Sequence, residues 1–271
     1  MPITIAACQP RRVAKIDIDM KKTLDMIEEA AQCYDADIAC FPERFPITPK
    51  WGKREPYIET IRKACEKHEI DAIIGAHTNY GNKKRNSAIY IGRSGIITHD
   101  KTTLFASERT ENISEESNPI IKVNNYDIGI GVCYDMHFPE YARLLTLKGA
   151  DVIIFISGIV PKYLENMWKG IAATRCYENH IPVISVSEIY EKYIGQSIIV
   201  TPPYNVLAEC DADEEGVIAA EIEPERFKGK HFGNSPDRKG SELIDAGEVG
   251  PYLKDFDRNL ESERRKLMDS L

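Results

Sequence analysis

The chain has 271 residues, enough for one large domain or two small ones around a substantial core. Its 43 aspartates and glutamates against 35 lysines and arginines leave a net charge of −8, which argues against nucleic acid or an anionic membrane as the main partner. A hydrophobic fraction of 42% and a mean hydropathy of −0.36 exclude a disordered chain and fit a soluble globular one.

Short β-branched runs alternate with longer amphipathic ones along the whole chain. In chain order, the pattern predicts strands at Ile3–Cys8, Ile38–Phe41, Ala72–Ala76, Ser87–Ile91, Ile96–Thr98, Ile120–Val123, Ile128–Val132, Val152–Ile156, Val183–Val186, Ser197–Val200, Val206–Ala208 and Val217–Ala220. It predicts helices at Asp19–Cys33, Glu55–His68, Pro139–Lys148, Lys162–Glu178 and Asn259–Met268. Phe45–Pro56 and the acidic stretch Glu108–Pro119 read as loops, and Glu223–Gly250, rich in charge, Gly and Pro, as part of a C-terminal arm covering 223–271. Strands alternating with helices imply an α/β fold.

An internal echo refines that expectation. Asn86–Ile91, a Gly-containing turn and Ile96–Ile97 resemble Gln196–Thr201, a Pro-Pro turn and Val206–Leu207, and each hairpin follows an apolar strand. No Ser/Gly/Pro linker separates the halves, so residues 1–271 are read as a single domain of two similar halves, each contributing a sheet.

The seven cysteines are Cys8, Cys33, Cys40, Cys65, Cys133, Cys176 and Cys210. Their odd number and the lack of CxxC spacing point to reduced thiols rather than a disulfide framework. The six histidines are scattered singly, so neither a metal nor another cofactor is expected. The most apolar stretch, Val152–Val160, is interrupted by Ser157 and Gly158 and is too short to span a bilayer. The N-terminus carries no secretory pattern, and a cytoplasmic location is expected.

Three reactive residues stand just past the ends of apolar strands. Glu43 follows Ile38–Pro42, Lys101 follows Ile96–Asp100, and Cys133 follows Ile128–Val132. In open α/β sheets, ligands collect outside the carboxyl ends of strands. A thiol, a carboxylate and an ammonium converging there suffice for acyl transfer at a carbon–nitrogen bond. The carboxylate takes the thiol proton and returns it to the leaving nitrogen, while the ammonium, with the backbone N–H of Tyr134, holds the oxyanion. Glu43 would serve best with a raised pKa, which partial burial favours and a neighbouring lysine opposes. Cys8, Cys40 and Cys176 are assigned to the core.

FPERF at Phe41–Phe45, HDKTTLF at His99–Phe105 and GVCYDMHFPEYARLLTLKGAD at Gly131–Asp151 resemble the nitrilase superfamily of carbon–nitrogen hydrolases. Trp168 with Ala172–Asn179, and Gly195–Pro202, resemble that family's downstream helix and its G-x-S-x-I-x-x-P strand. The resemblance covers about Ile3 to Glu223. It implies a four-layer α-β-β-α sandwich, with Glu43, Lys101 and Cys133 as the catalytic set. It also implies a homodimer or larger homo-oligomer assembled through Phe138–Lys148 and Tyr163–Asn179. A second glutamate that positions the lysine is expected beyond it. Glu108 is preferred over Glu111, and the Pro-Gly step that usually follows is missing. Ser187 replaces a common asparagine, a change expected to alter pocket polarity.

The implied activity is hydrolysis of a small linear amide or N-carbamoyl compound through a thioester. A nitrile hydrolase and a non-catalytic scaffold of the same fold are the alternatives; a metal-dependent phosphoesterase lacks a convincing ligand set. Trp51, Tyr134, His137, Ile159 and Tyr163 are candidate pocket neighbours.

Overall fold

A computed structural model describes residues 2–47, 55–80, 82–106, 108–112, 119–158 and 160–228. Residues 1–225 form one compact unit; of the second, 226–271, only 226–228 are described. The expected helix Asn259–Met268 and nearly all of the expected arm lie outside the described residues. No described helix is long and apolar enough to cross a membrane.

The first half runs β1 (Ile3–Gln9), α1 (Ile16–Tyr34), β2 (Ile38–Cys40), β3 (Pro46–Ile47), α2 (Glu55–His68), β4 (Asp71–Tyr80), β5 (Lys83–Gly92), β6 (Gly95–Asp100) and α3 (Glu108–Glu111). The second runs β7 (Ile120–Val123), β8 (Tyr126–Val132), α4 (Pro139–Leu147), β9 (Val152–Ile156), α5 (Glu165–Asn179), β10 (Val183–Val186), β11 (Ile198–Thr201), β12 (Asn205–Glu209) and β13 (Gly216–Ile222).

The strands make two mixed sheets. One has the order β13-β1-β2-β4-β5-β6, with β3 beside β4; the other has the order β12-β11-β10-β9-β8-β7. In the first, β1, β2 and β4 are parallel and β5 and β6 return antiparallel. In the second, β8, β9 and β10 are parallel and β11 and β12 return antiparallel. The two hairpins recognised in the sequence are β5–β6 and β11–β12, so the internal echo is a repeat of topology.

Period-2 alternation explains the layering. Ala6, Cys8, Ala39, Phe41, Ala72 and Ile74 pack with Met20, Met26, Ile27 and Ala30 of α1 and Ile58, Ile61 and Cys65 of α2. Their buried neighbours Ile5, Ala7, Ile38, Cys40 and Ile73 stand outside that cluster and face the other way. In the second sheet, Ile153, Phe155 and Val183 pack on α4 and α5, with Leu145, Trp168, Ala172 and Cys176 among their partners. Val152, Ile154 and Ile156 face the opposite side. The inward faces meet where β1 approaches β10 and β5 approaches β8. This is the four-layer sandwich, and each fully buried isoleucine in it contributes about 1.5–3 kcal/mol.

Helix ends follow local chemistry. Asp19 accepts a hydrogen bond from the Val13 N–H at 2.9 Å near the start of α1, and Asp35 ends that helix in a left-handed turn. Pro139 opens α4, where its missing N–H costs nothing.

Both expected loops need correction. In Phe45–Pro56, Pro46–Ile47 pairs with Gly75–Ala76 as β3, and Glu55–Pro56 already belong to α2; residues 48–54 lie outside the described residues. In Glu108–Pro119, Glu108–Glu111 forms α3, because the Glu108 carboxylate accepts the Phe105 N–H at 2.9 Å and so closes the helix start. Two such short elements carry no readable apolar period. Lys162–Glu178 is also divided, into a 3₁₀ turn at Lys162–Leu164 followed by α5.

Candidate active site

Glu43 and Lys101 lie just beyond β2 and β6, and Cys133 directly follows β8. All three line one cavity of about 940 Å³. Glu43 and Lys101 are each 2% exposed, so their interactions are barely screened by solvent.

Lys101 Nζ donates to Glu43 Oε1 and Glu108 Oε2, both at 2.8 Å. The amide of Asn86 donates to the same pair, to Glu43 Oε1 at 2.6 Å and Glu108 Oε1 at 2.9 Å. Glu43 Oε2 accepts the backbone N–H of Gly158 at 3.1 Å. Glu108 is therefore the glutamate joined to Lys101; Glu111 ends α3, and its side chain is outside the described set.

Electrostatics settles the contest between burial and the neighbouring lysine over the Glu43 carboxyl. Burial disfavours its charge, but Lys101, Arg44 and the hydrogen bonds from Lys101 and Asn86 outweigh burial and hold it below the ordinary carboxylate range. Lys101 is raised: burial opposes its charge, and Glu43, Cys133 and Glu108 overcome that opposition. The Cys133 thiol is pushed up to about 12, first by burial and then by Glu43, with Lys101 and Arg44 pulling the other way. The resting site thus pairs a neutral thiol with a carboxylate.

Local backbone aims these groups. Cys133 has φ +50° and opens a 3₁₀ turn, Cys133–His137. Asp135, fully buried within that turn, accepts the N–H groups of Val132 (3.0 Å), Thr102 (3.3 Å) and Thr103 (2.6 Å), joining the segment after Lys101 to the turn of Cys133. Burial outweighs those bonds and raises Asp135 to about 6. From behind, Arg175 of α5 donates to the carbonyls of Met136 and His137, both at 2.9 Å.

One wall is aromatic. The Tyr134 ring lies 5.0 Å from Phe105 and 5.1 Å from His137, and His137 lies 5.5 Å from Trp168. Tyr134, His137 and Tyr163 line the cavity as the sequence suggested; Trp51 and Ile159 fall outside the described residues. Ser187 is absent from the lining and is buried, its hydroxyl accepting the Gln196 N–H at 2.6 Å, so its expected effect on pocket polarity is replaced by a structural role. Gly195 is structural too, because a Cβ there would stand 2.2 Å from the Gln9 amide. Cys8, Cys40 and Cys176 are buried in the core.

Sequence reasoning passed over Asn86, Asp135, Gly158 and Arg44. Asn86 sat in the hairpin echo, and Asp135 and Arg44 inside motifs quoted for their neighbours; Gly158 carried no signal beyond interrupting an apolar run. No group of three or more His, Cys, Asp or Glu among the described residues is placed to hold a metal.

The family model for carbon–nitrogen hydrolases matches residues 4–229. A probable nitrilase of Schizosaccharomyces pombe is 28% identical over 62% of this chain, an alignment spanning 65% of that protein. Deaminated glutathione amidase of Escherichia coli O157:H7 is 30% identical over 64% of this chain and 68% of its own length. Among solved structures, a carbon–nitrogen hydrolase from Helicobacter pylori G27 superposes with a TM-score of 0.76 at 19% identity, covering 84% of this chain and 91% of that one. The family match runs through both halves and every strand that ends at the cavity, and this chain belongs to the carbon–nitrogen hydrolases of the nitrilase superfamily.

Proposed function

We propose that the protein is a cysteine-dependent amidase acting on a small linear amide or N-carbamoyl compound. The observation that carries this reading is Lys101 Nζ held 2.8 Å from both Glu43 and Glu108 in the cavity wall that Cys133 shares.

Glu43 takes the thiol proton as Cys133 Sγ forms a bond to the substrate carbonyl carbon. With the thiol near 12 and Glu43 ionised, proton transfer accompanies attack rather than preceding it. Lys101 and the Tyr134 N–H hold the tetrahedral oxyanion; that N–H lies in the first turn of the 3₁₀ segment, where backbone donors have no partner within the turn. The carbon–nitrogen bond breaks as Glu43 returns the proton to nitrogen, leaving a thioester. A water then gives its proton to Glu43 and its oxygen to the acyl carbon, and the departing sulfur regains a proton. Glu108 and Asn86 position Lys101 and Glu43 throughout.

Intact-mass spectrometry after incubation with panels of amides, N-carbamoyl compounds and nitriles tests this. An acyl adduct is expected on the wild type and not on Cys133→Ala. Turnover of amides by Cys133→Ala would overturn the covalent route, and turnover of nitriles alone would replace the amidase by a nitrilase.

We further propose that two copies associate through α4 and α5, on which the large apolar side chains of Leu144, Leu147, Met167 and Tyr177 are exposed. A monomer in multi-angle light scattering at micromolar concentration would reject it. The seven free thiols favour a reducing, cytoplasmic setting.

A further inference from the structure

A buried ion pair outside the cavity ties two parts of its wall together. Arg12, 9% exposed, follows β1, and Glu188, fully buried, follows β10. Arg12 Nη1 donates to the two Glu188 oxygens at 3.0 and 3.2 Å, and Nη2 donates to the Arg44 carbonyl at 2.7 Å. Neither residue of the pair lines the cavity.

Each acceptor of this fork leads to the site. The Arg44 carbonyl belongs to the turn Pro42–Phe45, closed by the Phe45 N–H on the Pro42 carbonyl at 3.2 Å, with Glu43 as one of its two central residues. Arg44 has φ +58°, a left-handed conformation that a non-glycine residue keeps only where its surroundings fix it. Glu188 opens the segment that runs into the turn Tyr190–Tyr193, which supplies Lys192 and Tyr193 to the cavity wall. Two backbone bonds of 2.9 Å, Arg12 N–H to the Ile189 carbonyl and Ile189 N–H to the Pro10 carbonyl, lay the two segments side by side. The Arg12 guanidinium stands 5.8 Å from the centre of the Tyr190 ring.

Stability does not account for the pair. Taking an arginine and a glutamate out of water costs about as much as their attraction returns, so well-packed apolar side chains would serve the core as well. What apolar side chains cannot supply is a planar fork that reaches two acceptors at once.

From this geometry we propose that Arg12 and Glu188 are positioning residues: the ionised pair fixes the Glu43 turn against the Tyr190–Tyr193 wall, and protonation of Glu188 releases it. The inference rests on the catalytic role assigned to Glu43 above. The groups facing the Glu188 carboxyl are Arg12, Arg44 and Glu43 from the first half and Tyr190 from its own segment. Burial pushes Glu188 up to about 7, with Arg12 and Arg44 pulling it down and Glu43 adding to the rise. Above pH 7 the pair is therefore made. Below it Glu188 takes a proton, and Arg12 loses the charge that orients its fork.

The test compares amide turnover by the wild type and by Glu188→Gln, which is neutral at every pH, between pH 6 and 8. Their ratio cancels the titrations they share, that of Asp135 at about 6 among them. Wild-type kcat should exceed that of Glu188→Gln by about tenfold at pH 8 and about twofold at pH 6, with KM within about twofold throughout. A ratio that does not change with pH would reduce the pair to a structural support and overturn the inference, as would equal kcat at pH 8. Arg12→Lys, whose ammonium can meet one acceptor but not both, should lose about tenfold in kcat at pH 8. Wild-type kcat in that variant would overturn the inference even if Glu188→Gln does not fold.

Iodoacetamide labelling of Cys133, read by peptide mass spectrometry, makes the same comparison without turnover, because the thiol still gives its proton to Glu43. The wild-type-to-Glu188→Gln rate ratio at Cys133 should again fall from about tenfold at pH 8 to about twofold at pH 6, and stay near one at exposed Cys33. That course with no amide turned over would end the amidase reading and leave the positioning pair standing. Turnover of amides with a flat ratio in both assays would overturn the inference and leave the amidase.

Discussion

In the first half, β2 and β6 lead into Glu43 and Lys101, two buried charges joined at 2.8 Å. The equivalent strands of the second half, β9 and β12, lead into Ser157–Gly158 and Cys210, while Cys133 follows β8. The counterpart of β8 is β1, which ends in Gln9, an amide used to bind the Ser197 N–H at 3.0 Å and the carbonyls of Asp211 and Glu214 at 2.7 and 2.8 Å. One topology thus offers equivalent strand ends twice, and the residues there divide the roles proposed above. The first half supplies carboxylate and ammonium, the second the thiol and the floor on which Glu43 rests.

The largest test of this division removes the thiol. Cys133→Ala should lower turnover by about 10⁴–10⁶-fold, with far-UV circular dichroism unchanged; activity within tenfold of wild type would end the covalent scheme. Next come the first-half charges. Glu43→Gln and Lys101→Ala should each lose about 10²–10⁴-fold in kcat, and near-normal turnover of either would show that the thiol does not depend on that residue.

Stability sharpens the contrast through His99, 3% exposed at the end of the first half with Nε2 2.8 Å from the Tyr141 hydroxyl of the second. Burial, with Lys148 assisting, lowers His99 to about 4. The folded pKa lies below the unfolded value of about 6.5, so its contribution is full above about pH 6.5 and is lost as pH falls through about 4. Wild type should therefore lose about 3 kcal/mol relative to His99→Gln between pH 7 and 4. Urea titrations with parallel pH slopes for the two proteins would contradict this.

The smallest expected effect is at the contact between halves. In Gly158→Ala the new Cβ would meet Glu43 Oε2 at 2.9 Å and the Glu43 carbonyl oxygen at 3.1 Å. A cost of about 1–3 kcal/mol in stability and about tenfold in kcat is expected, because the Gly158 N–H must withdraw from Glu43. Wild-type kinetics would mean that the floor gives way freely.

Periodicity alone located the long elements and the hairpin echo, since a strand or helix that buries one face must repeat its apolar residues at the matching spacing. Glu43, Lys101 and Cys133 were also legible, because each follows an apolar run and sits in a recognisable motif. β3 and α3 were not: a two-residue strand exists only because Gly75 lies beside it, and a four-residue helix only because Glu108 closes it.

The sequence by itself therefore determined the α/β alternation and the repeat of halves and nominated the site residues, because each is read from local apolar spacing or a short motif. Tertiary structure decided how those groups behave. Glu43 is held ionised by a lysine 58 positions away and rests on a glycine 115 positions away, and Asp135 ties Thr103 to the turn of Cys133 across 32 positions. Coulomb interaction and hydrogen bonding depend on distance in space and on exclusion of water, and neither quantity exists until the two sheets have packed together.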